Sequence, residues 1–378
     1  MKIAIIGAGL TGATIARLFA VNGHNVEVYE KASYPGGLAY DYDLSGTMVS
    51  HYGPHIFHTD YEDIWNFANK FGNFIPIKYK VQALTRKGWL PYPINRESII
   101  KVCNSIRSMK KEIAAGGVLK ENHGYELNLH NYETKALKCI GNRLYKTFVK
   151  DYDAKFHGRE LCNVLPELFD GINVDEDDHK NYFYKDTFIG FPKHGFTRMI
   201  EKMLNHSRII VTFNHEIGQK FLIKIREQFD LIVSTASPDS LLNYRHTIIP
   251  YHKSSFTFLS CDTNWPTPTV KFCIKDIPFI NGVDYKRLHK GTNSVVMMEM
   301  ISESGDRLYP IRSKWNIFLH QKYANELKEH YGVISVGRLG SFKQISMALS
   351  ISQSIAFVRR VTSLYNKYNN IYKVKGEL

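Results

Sequence analysis

An α/β fold built on a buried parallel sheet is predicted by three features of the first forty residues. Lys2 to Ile6 is a short apolar, β-branched run, which suits a strand covered on both faces. Gly7, Gly9 and Gly12 follow at once in the G-x-G-x-x-G spacing. A second strand-like run, Asn25 to Tyr29, ends in an acid, Glu30. This is the order of a Rossmann-type unit. The first glycine permits a tight turn, the second lets backbone approach a pyrophosphate, and the third lets helix and strand pack closely. Glu30 stands where an acid binds ribose hydroxyls, and its charge disfavours a 2′-phosphate. A second glycine pair, Gly36-Gly37, adds to the pattern.

Between those strands, Ile15, Ala16, Leu18, Phe19 and Ala20 give the expected helix from Thr11 to Val21 its sheet-facing stripe. Arg17 interrupts the apolar stretch and no small-residue cleavage site follows, so a secretory signal is not expected. The next informative segment is HYGPHIFHTD, with His51, His55 and His58 in ten residues. Pro54 opposes a helix that would align the histidines, and no carboxylate or cysteine cluster completes a shell. A loop shaped against a cofactor is expected there, not a metal site.

Tyr61 to Phe71 reads as helix, Pro76 to Trp89 as strands, and LPYPIN (Leu90 to Asn95) as a turn. Arg96 to Phe148 is largely helical, with a polar break near 114–130. The stretch from Glu133 to Tyr152 carries Ala136, Leu137, Ile140, Leu144, Tyr145 and Phe148 at helical spacing and predicts one amphipathic helix. Asp170 to Asp178 is an acidic loop. Strands are expected at Arg208 to Phe213, within Phe229 to Pro238, and repeatedly from Tyr251 to Met300. Helices at Asn316 to His330 and Leu349 to Tyr365 close the chain around the strand and turn YGVISVGRLG.

The 378 residues suffice for two or three domains, and no apolar run reaches the length of a membrane helix. Five scattered cysteines without a C-x-x-C fit reduced thiols of a cytoplasmic protein. The net charge of +13 and pI near 9.3 call for an anionic partner, but no nucleic-acid module is present.

The motifs GAGLTG, GPHIFHTD, LPYPIN, KDYDAKFHG, NYF, GFPKHGFTRMI and VGRLG occur in this order along nearly the whole chain. In this the sequence resembles the bacterial UDP-galactopyranose mutases. The resemblance implies a Rossmann-type FAD-binding domain (1–78 with 190–245 and 318–378) and an inserted helical domain (95–165). A twisted antiparallel sheet (79–94 with 166–189 and 246–317) would form the substrate domain. It implies bound FAD, active when reduced and itself the nucleophile, a nucleotide-sugar substrate used for surface glycans, and a homodimer. Carried over, Gly7, Gly9, Gly12, Glu30, Gly37, His58, Arg338, Gly340 and Met347 would hold the cofactor, with His58 and His55 on the catalytic side. Phe148, Tyr152, His157, Tyr182, Phe183, Tyr309 and Gln344 would meet the substrate.

The substrate half departs from the family. No arginine or lysine occurs between Arg159 and Lys180, where the family has a diphosphate-binding arginine, and a second such arginine aligns near Ser302. The family's substrate-facing tyrosine and acid are Gln344 and Ser346, and its tryptophan is His157. Two lost charge-assisted hydrogen bonds of roughly 1.5–3 kcal/mol each amount to about 10²–10⁴ in affinity or rate. Other cations must then serve, with Lys155, Arg159, Lys180, Lys185 and Arg307 as candidates. A pyranose–furanose mutase with a non-galactose or non-UDP substrate is expected. The alternatives are an FAD-dependent oxidoreductase of a sugar and a flavin-binding paralogue without activity.

Overall fold

The structure is a computed structural model that describes residues 1–115, 131–177 and 182–375, with side chains to 367. Part of the expected break near 114–130, and Asp178 and Lys180, lie outside the described residues.

Five parallel strands form the first sheet, in the spatial order Ile209–Thr212, Asn25–Tyr29, Lys2–Ile6, Leu231–Ser234 and Val333–Ser335. Alternation along Lys2–Ile6 explains why every residue after Lys2 is apolar. Ile3 and Ile5 enter one core with Phe19, Val28 and Ile351, while Ala4 and Ile6 enter a second with Leu222, Leu319 and Tyr323. The glycine turn thus emerges at the carboxyl end of the central strand, where such sheets bind ligands.

A seven-stranded sheet forms the second layer. Its order is Asp306–Pro310, Tyr251–Leu259, Val296–Ile301, Asn281–Asp284, Thr269–Phe272, Val81–Thr85 and Gly88–Tyr92. All neighbours are antiparallel except Thr269–Phe272 with Val81–Thr85. The expected turn at LPYPIN is instead the end of the edge strand Gly88–Tyr92, a cis Tyr92–Pro93 bond, and the short strand Ile94–Asn95. Pro91 is tolerated because an edge strand needs no second row of N–H donors. Asn95 then caps the helix Arg96–Cys103, its Oδ1 accepting from the Ser98 amide at 3.1 Å.

The helical unit packs Ile99, Val102, Ile140, Leu144, Tyr145 and Phe148 into one core. The single helix expected from Glu133 to Tyr152 is broken. Gly141 has φ 77° and ψ 165°, a conformation open to glycine alone, and a wide π-turn occupies Tyr145–Val149 before Lys150–His157. Glu112 fills the break, accepting from the Arg143 amide at 2.8 Å and from its Nε at 2.9 Å. Strand Phe188–Pro192, between Phe57–Thr59 and Phe74–Pro76, and helix Lys314–Tyr331 each run unbroken across an expected domain boundary.

Candidate active site

Three glycine turns converge at the end of the parallel sheet. A Cβ on Gly12 would lie 2.0 Å from the Gly7 carbonyl oxygen, so only glycine lets the helix Leu10–Val21 start this close to the strand. Gly9 and Gly36 bridge the two glycine turns, with Gly37 beside them. Gly9 is the N-cap and supplies no side-chain acceptor, which leaves the first amides of a twelve-residue helix to meet an anion. Glu30 is buried at the end of its strand, its two oxygens accepting from the Ala8 amide at 2.8 Å and the Ala32 amide at 2.9 Å. Each oxygen keeps a lone pair for a ribose hydroxyl. The third turn, Gly337–Gly340, packs Gly340 against the Ser234 carbonyl. Met347 starts the last helix against the same core. Open amides, an acid at the strand end and a cradle that any Cβ would fill fit a dinucleotide.

Beside this cradle the half-buried side chains of Arg338, His55 and Tyr309 mark one side of a candidate crevice. Arg338 bonds the Ile345 carbonyl through Nη2 at 2.8 Å, and its guanidinium lies 5.5 Å from the centre of the Tyr309 ring. His55 is close enough to Arg338 to feel its charge. Burial first, then that charge, lowers its pKa to about 4. Its Nδ1–H donates to the Gly53 carbonyl at 2.8 Å, so the neutral ring presents Nε2 as an acceptor. His58 instead donates from Nδ1 to Asp186 at 3.0 Å and stacks on Tyr184, ring centres 3.8 Å apart. The two histidines have separate partners: His55 faces the arginine turn, and His58 holds the segment after NYF.

The opposite wall comes from the helix Lys150–His157 and the large sheet. Tyr152 donates to Asn281 Oδ1 at 3.1 Å and accepts from Lys271 Nζ at 2.7 Å. His157 and His252 meet edge to face with ring centres 5.1 Å apart. Burial lowers both, to about 4 and about 3, so the pair is neutral at pH 7. Phe156 bridges His252 to Tyr309. Burial pushes the Tyr309 phenol up to about 12 and that of Tyr152 well above the usual range, so both keep their protons. Tyr182 and Phe183 line a separate cavity of about 240 Å³ with Pro93, Asn95, Asp175 and Lys185. That volume is below the roughly 300–1,000 Å³ of common ligand pockets.

Comparison with known proteins bears on which dinucleotide enzyme this is. The family model described as UDP-galactopyranose mutase matches residues 147–344, and that of an NAD(P)-binding Rossmann-like domain matches 5–71. The chain belongs to the UDP-galactopyranose mutase family. Its relatives include a dTDP-fucopyranose mutase from Escherichia coli, 30% identical over 97% of this chain and 99% of its own. A probable UDP-galactopyranose mutase from Klebsiella pneumoniae is 28% identical over 94% and 93%. A solved structure of reduced UDP-galactopyranose mutase superposes with a TM-score of 0.72 at 17% identity, covering 96% of each chain. The protein is a flavin-dependent pyranose–furanose mutase of a nucleotide sugar.

The residues expected to meet the substrate do not all stand open. Phe148 is 2% exposed within the helical core, so this ring offers no open face to a ligand, contrary to expectation. Gln344 is exposed on the turn after Gly340, and Ser346 caps the last helix by accepting from the Leu349 amide. Three expected cations are engaged elsewhere. Lys155 donates to the carbonyls of Phe272, Ile274, Ile277 and Phe279 at 2.7–3.0 Å, clamping a loop. Arg307 pairs with the fully buried Asp239 at 2.9 Å, and Lys185 pairs with Asp175. Arg159 is exposed but near enough to His157 to lower its pKa.

Sequence reasoning passed over Lys271, Asn281, Glu299, His252 and Asp186. One signal was present for two of them. Lys271 in TVKFCI and Glu299 in VVMMEM are single charges within apolar strands, and a charge is buried only when something requires it.

Proposed function

We propose that the protein holds FAD in its reduced state and interconverts the pyranose and furanose forms of a dTDP-linked 6-deoxyhexose, dTDP-fucopyranose being the first candidate. Full-length similarity to the E. coli dTDP-fucopyranose mutase carries the sugar assignment. The intact glycine cradle beside a rewritten substrate wall supports it. A cytoplasmic homodimer serving surface glycans belongs to the same reading; among the described residues no helix is long and apolar enough to cross a membrane.

In this reading Gly7, Gly9, Gly12 and the helix amides hold the cofactor pyrophosphate, Glu30 the ribose, and Arg338 the junction between cofactor and crevice. Reduced flavin supplies an electron-rich centre able to attack an anomeric carbon. The chain's own groups do the rest. Tyr309, protonated, donates a hydrogen bond toward the diphosphate as it takes up charge, Tyr152 offers its ring beside it, and Arg338 adds a fixed positive charge. Neutral His55 accepts a hydrogen bond through Nε2 without adding positive charge. The ring-lined walls limit water, which would otherwise trap the opened sugar.

The test is incubation of the purified, dithionite-reduced flavoprotein with dTDP-fucopyranose and, separately, UDP-galactopyranose, followed by chromatography. Preferred conversion of dTDP-fucopyranose supports the assignment. Equal or better kcat/KM with UDP-galactopyranose overturns the sugar assignment. Conversion of neither, with flavin bound, overturns both substrates.

A further inference from the structure

We propose that Lys271, reaching from the strand Thr269–Phe272 to Tyr152, is the cation that binds a phosphate of the nucleotide-sugar substrate, in place of the arginines this chain lacks. The proposal rests on the nucleotide-sugar reading above and names the residue that completes it.

Strand register sets the residue in place. Lys271 pairs with Asn281, and Asn281 pairs with Glu299, so the three side chains form one row across the large sheet. The row is wired from its buried end. Glu299 is 4% exposed and accepts from Ser254 Oγ at 2.8 Å and from Asn281 Nδ2 at 2.6 Å. That fixes the Asn281 amide with its oxygen toward the crevice, where it accepts from Lys271 Nζ at 3.2 Å and from the Tyr152 hydroxyl. Nζ also lies 4.5 Å from the centre of the Tyr152 ring and 5.0 Å from that of Tyr92. Two rings and two hydrogen bonds hold one ammonium at the mouth of the row, half-buried and so not closed to a ligand.

Charge is what this arrangement leaves unbalanced. Among the described residues Lys271 forms no salt bridge, although Arg143, Lys185 and Arg307 each have one. The nearby carboxyls are committed: Glu299 to Ser254 and Asn281, and Asp153 to the Tyr132 hydroxyl at 2.7 Å. Burial moves both toward the neutral acid, Asp153 to about 6, and lowers Lys271 as well, a shift that an anion beside the ammonium would reverse. Desolvating an ammonium without an anionic partner is unfavourable, so a fold that retains one there gains when an anion arrives. The location agrees with that use. Tyr152 is half-buried and apt to pack on a base or sugar, and the ammonium beside it suits the adjoining phosphate. Lys155, Lys185 and Arg307 are removed from contention by their own partners.

The experiment uses the full-length flavin-loaded protein. Affinities for dTDP, UDP and thymidine are measured by calorimetry for wild type, Lys271→Met, Lys271→Gln and Lys271→Arg, at two salt concentrations. Loss of one charge-assisted contact predicts about 10- to 100-fold weaker binding of the nucleoside diphosphate in Lys271→Met and Lys271→Gln. Thymidine affinity should hold, the difference should narrow at high salt, and Lys271→Arg should recover part of it. Lys271→Gln keeps polar contacts to Tyr152 and Asn281 and carries the comparison if Lys271→Met loses flavin or folds poorly. Unchanged dTDP and UDP affinity overturns the proposal. An equal loss for thymidine also overturns it, since Lys271 would then only position Tyr152. Wild type that retains flavin yet binds neither dTDP nor UDP overturns the nucleotide-sugar reading itself, and this inference with it.

Discussion

The two histidines of GPHIFHTD are three residues apart and act on different neighbours, because they stand on opposite sides of a turn into a strand. His55 stays neutral beside Arg338, held by the Gly53 carbonyl. His58, the middle residue of the strand Phe57–Thr59, braces Tyr184 and Asp186. His58→Ala removes one stacking contact and one half-exposed hydrogen bond, a stability cost of about 1–2 kcal/mol. The strand that carries it follows directly on His55 beside Arg338, so turnover should fall about tenfold with flavin retained as that side chain loses its fixed position. Steady-state kinetics beside a thermal melt decides this, and normal turnover would defeat it. The pairing of His58 with Asp186 across 128 residues is one that no local motif displays.

At the scale of elements, the glycine turn and the break at Gly141 use the same property of glycine to different ends. In the first, lack of a Cβ brings helix to strand and opens amides to an anion. In the second, a conformation closed to other residues lets the helical unit bend around Glu112 and Arg143. Gly141→Ala would force that conformation on a Cβ 3.1 Å from the Glu112 carboxyl carbon. A cost on the order of 1–3 kcal/mol is expected, read as a lower urea midpoint, with flavin absorbance unchanged because the cradle lies elsewhere. The apolar stripe from Ala136 to Phe148 was legible as core, and it is core. The break was not, since helical periodicity continues through a single glycine and only the tertiary contact with Glu112 makes bending favourable.

Across the whole molecule, several histidines are buried neutral. His55, His157 and His289 are lowered to about 4 and His252 to about 3, in each case chiefly by burial. Their folded pKa values lie below the unfolded value near 6.5, so as pH falls the unfolded chain takes protons first. The stability they allow is present above pH 6.5 and is lost between pH 6.5 and about 4. Asp153, raised to about 6, works the other way, since the folded state takes its proton first between pH 6 and 4. Burial raises Glu299 and Asp41 as well, and these work the same way as Asp153, so the carboxyls offset part of the loss while the histidines set its sign. Urea midpoints measured from pH 8 to pH 4 should be level above pH 7 and fall steeply below 6.5. A midpoint constant down to pH 4.5 would refute this.

Local patterning was enough for the parallel strands, the glycine cradle and the acid at Glu30, because alternation and turn chemistry act over short stretches, while the family was legible in motifs spread along nearly the whole chain. It also showed that two diphosphate-binding arginines were missing. Which cations could replace them depended on packing. Lys155, Lys185 and Arg307 looked available along the chain, but loop carbonyls, Asp175 and Asp239 engage them. Lys271 had looked like an ordinary strand residue until sheet register placed Asn281 and Glu299 beside it. Whether a charge is paired depends on which segments become neighbours, and Lys155 meets the Phe272 carbonyl, and Lys271 the Tyr152 hydroxyl, across more than a hundred residues.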